Sequence, residues 1–373
     1  MSGYLAILSS MILPAAVFLL AEKKSRAAAG KGALLTACAI LLFFMALRGE
    51  NVGADTKQYT AAFEQIRAMN LGECLTGKVY GASGAYVINL EPGYRLYNWI
   101  LGRFFSHPQA VTAANSFLII FLLYRFIRRQ SDSGLLSIWL YITFGLFQTE
   151  MNMARNAIAI LWSLCAARYI EERRPLLYML NILGAALFHQ SALLFLAVYP
   201  LAVGVRMNRK RFRYLVLWAV AAGFGITLVK PLLHLVTPER YVRYLYVTSP
   251  DMEGLLLGAF YFAAILSVLL ILRRENRTVA LELSPVGNWF FLLNVFFFSV
   301  SYTLIAATRA AALFSPYFIV YIPQILERGI RSDSRKKIAY VAVTAVCGAV
   351  YALRLTFNNI GGTIPYTFFW QNF

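Results

Sequence analysis

The stretch Ala33-Leu34-Leu35-Thr36-Ala37-Cys38-Ala39-Ile40-Leu41-Leu42-Phe43-Phe44-Met45-Ala46-Leu47, followed at once by Arg48-Gly49-Glu50-Asn51-Val52-Gly53-Ala54-Asp55-Thr56-Lys57-Gln58-Tyr59, decides the fold class. The first half is an apolar run long enough to enter a bilayer. The second half packs Arg, Glu, Asp, Lys and Tyr into one short segment where that run ends. A charged knot at the end of an apolar helix marks a membrane surface.

The rest of the chain repeats the theme. Of its 373 residues, 60% are hydrophobic and only 14% charged, against about 25% charged in soluble domains. Apolar runs of roughly 15 to 25 residues recur, the length that spans ~30 Å of hydrocarbon as helix. Long unbroken runs argue against the alternating strands of a closed barrel, the other structure that lipid tolerates. The class is an all-α polytopic integral membrane protein. A net charge of +18 would point to nucleic acid in a soluble chain; here Lys and Arg gather in short loops, as the positive-inside rule requires, and no nucleic-acid partner follows. Of the four cysteines, Cys38, Cys165 and Cys347 lie in apolar runs and Cys74 in a loop. No CxxC pair calls for zinc or a disulfide framework.

In chain order, crossings are expected at about 3–21, 33–47, 109–127, 134–149 and 151–170. The first has its basic residues, Lys23, Lys24 and Arg26, after it. That is the reverse of a cleavable signal peptide, and implies an uncleaved helix with its N-terminus outside. Residues 48–107 form a long outer loop. Within it, 55–69 reads as an amphipathic helix, 72–84 as a Gly-rich turn region and 92–105 as an interfacial helix. The run 175–204 is too long for one crossing, and the basic cluster 206–213 follows it. Two short helices, with His189 near an outer turn, keep that cluster inside. Further crossings are expected at about 214–235, 254–272, 286–306, from an outer turn at Thr308-Arg309 to Leu326, and at 338–354, with an outer loop at 236–253. The total is about twelve crossings in a single transmembrane domain over 1–373, with both termini outside.

Ionisable residues left on the outer side are candidates for function, because placing a charge within a helix core costs about 2.5–3.5 kcal/mol. Arg155, in Met151-Asn152-Met153-Ala154-Arg155-Asn156, opens an apolar helix. It reads either as an arginine snorkelling to head groups or as an anion ligand. Arg48 and Arg309 stand at comparable boundaries, with the same two readings. Several arginines beside one cavity suit phosphate, since guanidinium stays charged in a low dielectric and binds phosphate oxygens bidentately. His189 is either a satisfied structural residue or a proton acceptor working near neutral pH. Asp55 and Glu91 either take a hydroxyl proton or hold an arginine. Tyr59, Tyr94 and Tyr97 suit sugar stacking and equally an interfacial aromatic belt. No P-loop, GxSxG, HExxH or acidic metal pair is present, so no cofactor or metal is expected.

Arg48…Val52-Gly53-Ala54-Asp55-Thr56…Tyr59, Glu91-Pro92-Gly93-Tyr94, Arg155-Asn156, Phe188-His189-Gln190-Ser191-Ala192, Arg309 and Pro365-Tyr366 follow one another across nearly the whole chain. In that order they resemble the EpsG family, the Wzy-like polymerases of bacterial exopolysaccharide and O-antigen synthesis. The resemblance implies a GT-C-like membrane glycosyltransferase of the bacterial cytoplasmic membrane, working on its outer face. It would join repeat units carried on undecaprenyl pyrophosphate, without a metal, and the family likeness also implies a chain-length-regulating partner. Arg48, Arg155 and Arg309, with Arg95 as a weaker fourth, would bind the pyrophosphate. His189 is the first choice for the base and Asp55 the second. Glu91 would orient an arginine or a sugar hydroxyl, and Tyr59 and Tyr94 would meet the glycan. Three other readings compete: an O-antigen-ligase-like transferase on the same scaffold, a flippase or transporter of lipid-linked sugars, and a membrane acyltransferase. A flippase would place charges at the membrane midplane in repeated halves, which the sequence lacks.

Overall fold

The computed structural model describes residues 26–77, 90–205, 207–236, 284–301, 304, 306–357 and 360–371. Among these residues the chain is helical throughout, with no strand and a single isolated antiparallel bridge between Arg48 and Phe368. It groups into two units. The first comprises the chain up to Arg168, together with Leu176–Phe195 and Thr344–Phe373; the second comprises Tyr169–Pro175 and Leu196–Val343.

In the first unit, α1 (Arg26–Ala46) packs against α5 (Gln109–Gln130) and α6 (Gly134–Thr143). Its buried residues Ala33, Leu34, Ala37, Cys38, Leu41 and Met45 recur at three- and four-residue steps, while Leu35 and Phe43 point outward. That is one stripe of a helix whose other side is equally apolar, as a lipid-facing helix requires. The expected amphipathic segment forms α2 (Thr56–Ala68), which buries Tyr59, Ala62, Phe63 and Ile66 against α4 (Pro92–Phe104) and α5. α3 (Leu71–Thr76) is closed at its start by a reciprocal capping box between Asn70 and Glu73. The region expected as a Gly-rich turn is therefore helical over its first residues, because that box supplies two of the helix's unpaired N–H groups with partners. The remainder of it lies outside the described residues, as do the expected crossings 3–21 and 254–272 and nearly all of the loop 236–253.

Among the described residues, three helices are long and apolar enough to cross a membrane: Gln109–Gln130, Ala307–Gly329 and Asp333–Leu355. Shorter apolar helices occupy Gly30–Ala46, Gly134–Thr143, Pro175–Ala186, Gln190–Gly204 and Pro285–Ser301. The expected crossings 134–149 and 151–170 are instead broken into α6, α7 (Leu146–Asn152) and α8 (Ala154–Ala166). The break after α6 falls at Gly145, whose φ of +77° turns the chain out of the helix. The Arg354 guanidinium donates to the Phe144 carbonyl that the break exposes, at 3.2 Å. α9 (Arg168–Glu171) follows, and the run 175–204 does divide, into α10 (Pro175–Ala186), a 3-10 segment Gln190–Ala197 and α11 (Val198–Gly204). His189 occupies the break.

The second unit is built on α13 (Pro285–Ser301), which packs against α12 (Arg209–Val236) and α14 (Ala306–Phe314). Phe290 stacks on Tyr317 at 4.2 Å, and Tyr321 donates to the Asn288 amide oxygen at 2.7 Å. Thr308 and Arg309 do not form a turn. Ala306, Ala307, Ala310, Ala311 and Ala312 surround them, and alanine is the strongest helix former. The two residues are carried inside α14, which continues through a 3-10 turn at Ser315–Tyr317 into α15 (Phe318–Gly329).

The chain ends on α16 (Asp333–Phe357) and a tail that returns to the first unit's charged loop. Gly49 N–H donates to the Thr367 carbonyl at 2.8 Å and Phe369 N–H to that of Leu47 at 3.0 Å. Farther along, Gly53 and Ala54 donate to the Gly362 and Gly361 carbonyls at 3.1 and 3.2 Å. The Tyr366 hydroxyl reaches the Phe44 carbonyl. The tail thus fixes the backbone of residues 47–54 by main-chain hydrogen bonds.

Gly145 tests the break. A Cβ there would sit 3.0 Å from the Arg354 guanidinium, on a left-handed backbone. Gly145→Ala is expected to cost about 1–2 kcal/mol, read as a lowered melting temperature of the detergent-solubilised protein. Gly204→Ala, with nothing within 4 Å of the new carbon, should leave it nearly unchanged. Equal effects at both positions would remove the argument.

Candidate active site

The start of α8 gathers three separate segments. Asn152, Arg155 and Asn156 stand at i, i+3 and i+4 across the Met153 break between α7 and α8. The Asn152 amide oxygen accepts the Asp55 backbone N–H at 2.8 Å. Arg155 donates to the Glu91 carboxylate. The Asn156 amide oxygen accepts the Ser191 hydroxyl at 2.9 Å. One helical turn therefore holds the charged loop, the start of α4 and the His189 break.

Glu91 lies at the centre. It is the residue before α4, but its side chain does not cap that helix. Instead Oε2 takes the Arg155 guanidinium, while Oε1 takes His189 Nδ1 at 2.7 Å and the Gln190 N–H at 3.3 Å. The Glu91, Arg155 and His189 side chains keep 13%, 16% and 28% of their exposure, so most bulk water is excluded while a ligand can still touch them. Burial pushes the Glu91 carboxyl up. The hydrogen bond from His189 and the charges of Arg155 and His189 together outweigh it and hold the group below its ordinary value. An ionised carboxylate only accepts hydrogen bonds, so Nδ1 of His189 carries the proton. In the neutral imidazole that leaves Nε2 as the basic nitrogen, with the ring's orientation set by Glu91.

The local sequence explains how these parts come so close. Pro92 occupies the first turn of α4, where a missing N–H costs nothing. Gly93 follows because a Cβ there would fall 2.6 Å from Cβ of Leu187 and 2.8 Å from its carbonyl oxygen. Tyr94 N–H then donates to that same carbonyl at 3.1 Å. Its ring is wedged among Tyr59, Tyr97 and Phe188 at 6.0, 5.9 and 6.1 Å, and its hydroxyl takes the Asn115 amide at 2.9 Å. Tyr94 is 1% exposed and Tyr59 5%. These tyrosines, expected to stack on sugar, form the wall behind Arg155, whose guanidinium lies 5.8 Å from the Tyr94 ring centre. Arg155 also bonds the Tyr59 hydroxyl, which burial nevertheless pushes above its ordinary value. Asp55 sits near the same arginine. Burial raises its carboxyl, and the Arg155 charge opposes that rise.

The four arginines singled out in the sequence divide. Arg48 is buried and donates to the Met45 carbonyl, to Ser116 Oγ at 3.2 Å and to the Met151 carbonyl at 3.0 Å, tying α1, α5 and α7 together. Arg95 is buried too. It donates to the Cys74 and Leu75 carbonyls at 2.7 Å and to that of Leu90, closing the C-terminal end of α3. Arg155 alone of the three in this unit faces the carboxylate and histidine. Arg309 is exposed on α14 of the second unit.

Two features escaped the sequence reading. Asn152 was quoted only as part of its motif, although polar residues at 152, 155 and 156 in an apolar setting already share one helix face. Glu150 fell between two expected crossings. It is buried in α7, where the Tyr141 hydroxyl donates to its Oε2 at 2.7 Å. A lone acidic residue between two apolar runs was the available signal.

A family model, described as the EpsG family, matches residues 31–368. The chain belongs to the EpsG family. That family consists of Wzy-like polysaccharide polymerases, and an all-helical chain with membrane-length apolar helices agrees with it. No curated protein and no solved structure matches the chain. The matched residues 31–368 include the whole Glu91 cluster and the loop that holds it, and the tail up to Phe368.

Proposed function

We propose that this protein joins oligosaccharide repeat units carried on undecaprenyl pyrophosphate, on the outer face of the bacterial cytoplasmic membrane. The fold would be GT-C-like, with about twelve crossings in all. The observation that carries the mechanism is the Glu91 carboxylate shared between His189 Nδ1 and the Arg155 guanidinium.

The acceptor hydroxyl attacks the anomeric carbon of the donor sugar. The new C–O bond forms as the bond from that carbon to the pyrophosphate oxygen breaks. His189 Nε2 takes the hydroxyl proton, and Glu91 stabilises the imidazolium that results. Lipid pyrophosphate leaves with its additional negative charge facing Arg155. A cation preorganised in a site of restricted water stabilises that charge most effectively. Asp55, anchored through its backbone to Asn152, is the second acid–base group within this reading. Arg48 and Arg95 act as positioning residues, in line with their bonds to backbone carbonyls. Arg309 is assigned to the pyrophosphate on sequence grounds alone. No metal is assigned a role, and a chain-length-regulating partner is assigned only by family likeness.

The test is the length of cell-surface polysaccharide in a deletion strain carrying wild type, Arg155→Ala, His189→Ala or Glu91→Gln at matched protein levels. Removing one stabilising donor typically costs about 10²–10³ in rate, and removing a general base about 10²–10⁴. Single repeat units should therefore replace long chains in all three variants, and Arg155→Lys should recover only part of the loss. Long chains from Arg155→Ala and His189→Ala would rule out this site. Polymer of full length that never reaches its final acceptor would mark a ligase instead.

A further inference from the structure

α2 has two working faces. Tyr59, Ala62, Phe63 and Ile66 point to the Tyr94 wall. On the opposite side, Lys57, Thr60 and Glu64 line a cavity of about 540 Å³, closed by Glu50, His107 and Phe369 among others. A second cavity of about 470 Å³ shares His107, Gln109 and Phe369 with it and continues toward Phe104 and Phe105. Each volume lies within the range of roughly 300–1,000 Å³ that holds small ligands. Neither cavity is lined by Glu91, Arg155 or His189.

We propose that this groove binds an uncharged or amino-sugar oligosaccharide, holding the glycan beyond the sugar that reacts. The floor is rigid. Gln109 Nε2 donates to the Ala46 and Arg48 carbonyls at 2.7 and 3.1 Å, and Phe369 N–H to that of Leu47. His107 Nδ1 accepts the Gln109 N–H at 3.1 Å, which directs its Nε2 to other partners. The rim is charged and exposed: among the described residues, Glu50, Lys57 and Glu64 share one cavity yet enter no ion pair and no side-chain hydrogen bond, so their ionic groups are hydrated and open to a ligand. Two carboxylates against one ammonium disfavour a phosphate or pyrophosphate. An apolar occupant would bury those three charges without partners, which is costly. A polyol meets both demands, with hydroxyls for the carboxylates, the ammonium and the imidazole, and its C–H face for Phe369. The groove and the reacting centre lie on opposite faces of α2 and share the loop 48–55, so in this proposal the groove takes a part of the glycan distinct from the sugar that reacts.

Only the ligand class rests on the polymerase reading. The experiment uses the full chain in lipid nanodiscs and isothermal titration with oligosaccharides of one to several repeat units, released by mild acid from the producing strain's polysaccharide. Affinity should rise with length in the wild type. Lys57→Gln combined with Glu64→Gln, and separately Phe369→Ala, should weaken binding of the longer oligosaccharides by about tenfold. Glu91→Gln should abolish transfer yet keep the length dependence. Wild-type binding that is absent or independent of length, or equal in the groove variants, overturns the proposal. Length-dependent binding lost only in the groove variants upholds it, even in a protein that transfers no sugar, and that last result would count against the polymerase reading alone.

Discussion

The Glu91 carboxylate, shared between a guanidinium and an imidazole, is the interaction on which the first unit's arrangement depends. Burying a carboxylate is unfavourable unless its oxygens are hydrogen-bonded and its charge is met. Both oxygens are engaged here, by groups from two different segments. The ionised form is therefore favoured despite burial. Removing any one partner leaves a desolvated charge behind, which is the expensive outcome for a buried pair. The start of α4, the start of α8 and the break after α10 are thus held in register by one side chain.

Such a junction needs backbones closer than ordinary side chains allow, and two devices provide the approach. At Gly93 the missing Cβ lets α4 meet the Leu187 carbonyl. At residues 47–54 the chain's own tail supplies main-chain partners, from Gly361 to Phe369. Loop backbone near a membrane surface must find hydrogen bonds somewhere. Drawing them from a segment some three hundred residues away in sequence couples the position of Asp55 and its Asn152 bond to the end of the chain. The Pro365-Tyr366 motif then has a physical role: Tyr366 anchors on the Phe44 carbonyl, and Phe368 stacks on Trp370 at 4.5 Å beside Phe44.

Much of this was legible in the sequence, because periodicity and helix-forming residues act locally. The amphipathic α2 and the helix opened by Pro92 follow from local pattern, and the division of 175–204 at His189 follows from the run's length and the basic cluster after it. What was not legible depended on distant partners. An apolar run does not reveal that Gly145 breaks it, since glycine inside a helix pattern is common and only the φ decides. Arg95 reads like Arg155 in sequence, yet one closes the end of a short helix and the other meets a carboxylate. Nothing local separates a guanidinium bound for carbonyl oxygens from one bound for a ligand. Thr308-Arg309 was misread for the opposite reason: its charge was weighed above the helix propensity of the alanines around it.

That division among arginines bears on the chemistry. In the proposed reaction Glu91 balances the charge of Arg155 before the proton is transferred. In that proposal, when His189 takes a proton from the attacking hydroxyl, the same three side chains gain one positive charge. That change coincides with the arrival of negative charge on the departing pyrophosphate. An arginine left without a carboxylate would already attract the donor's pyrophosphate strongly in the ground state, so only the growth of charge on the leaving oxygen would lower the barrier. In the proposed mechanism the Glu91 bridge makes added positive charge appear with the transition state, so the shared carboxylate would serve the reaction alongside the base it orients.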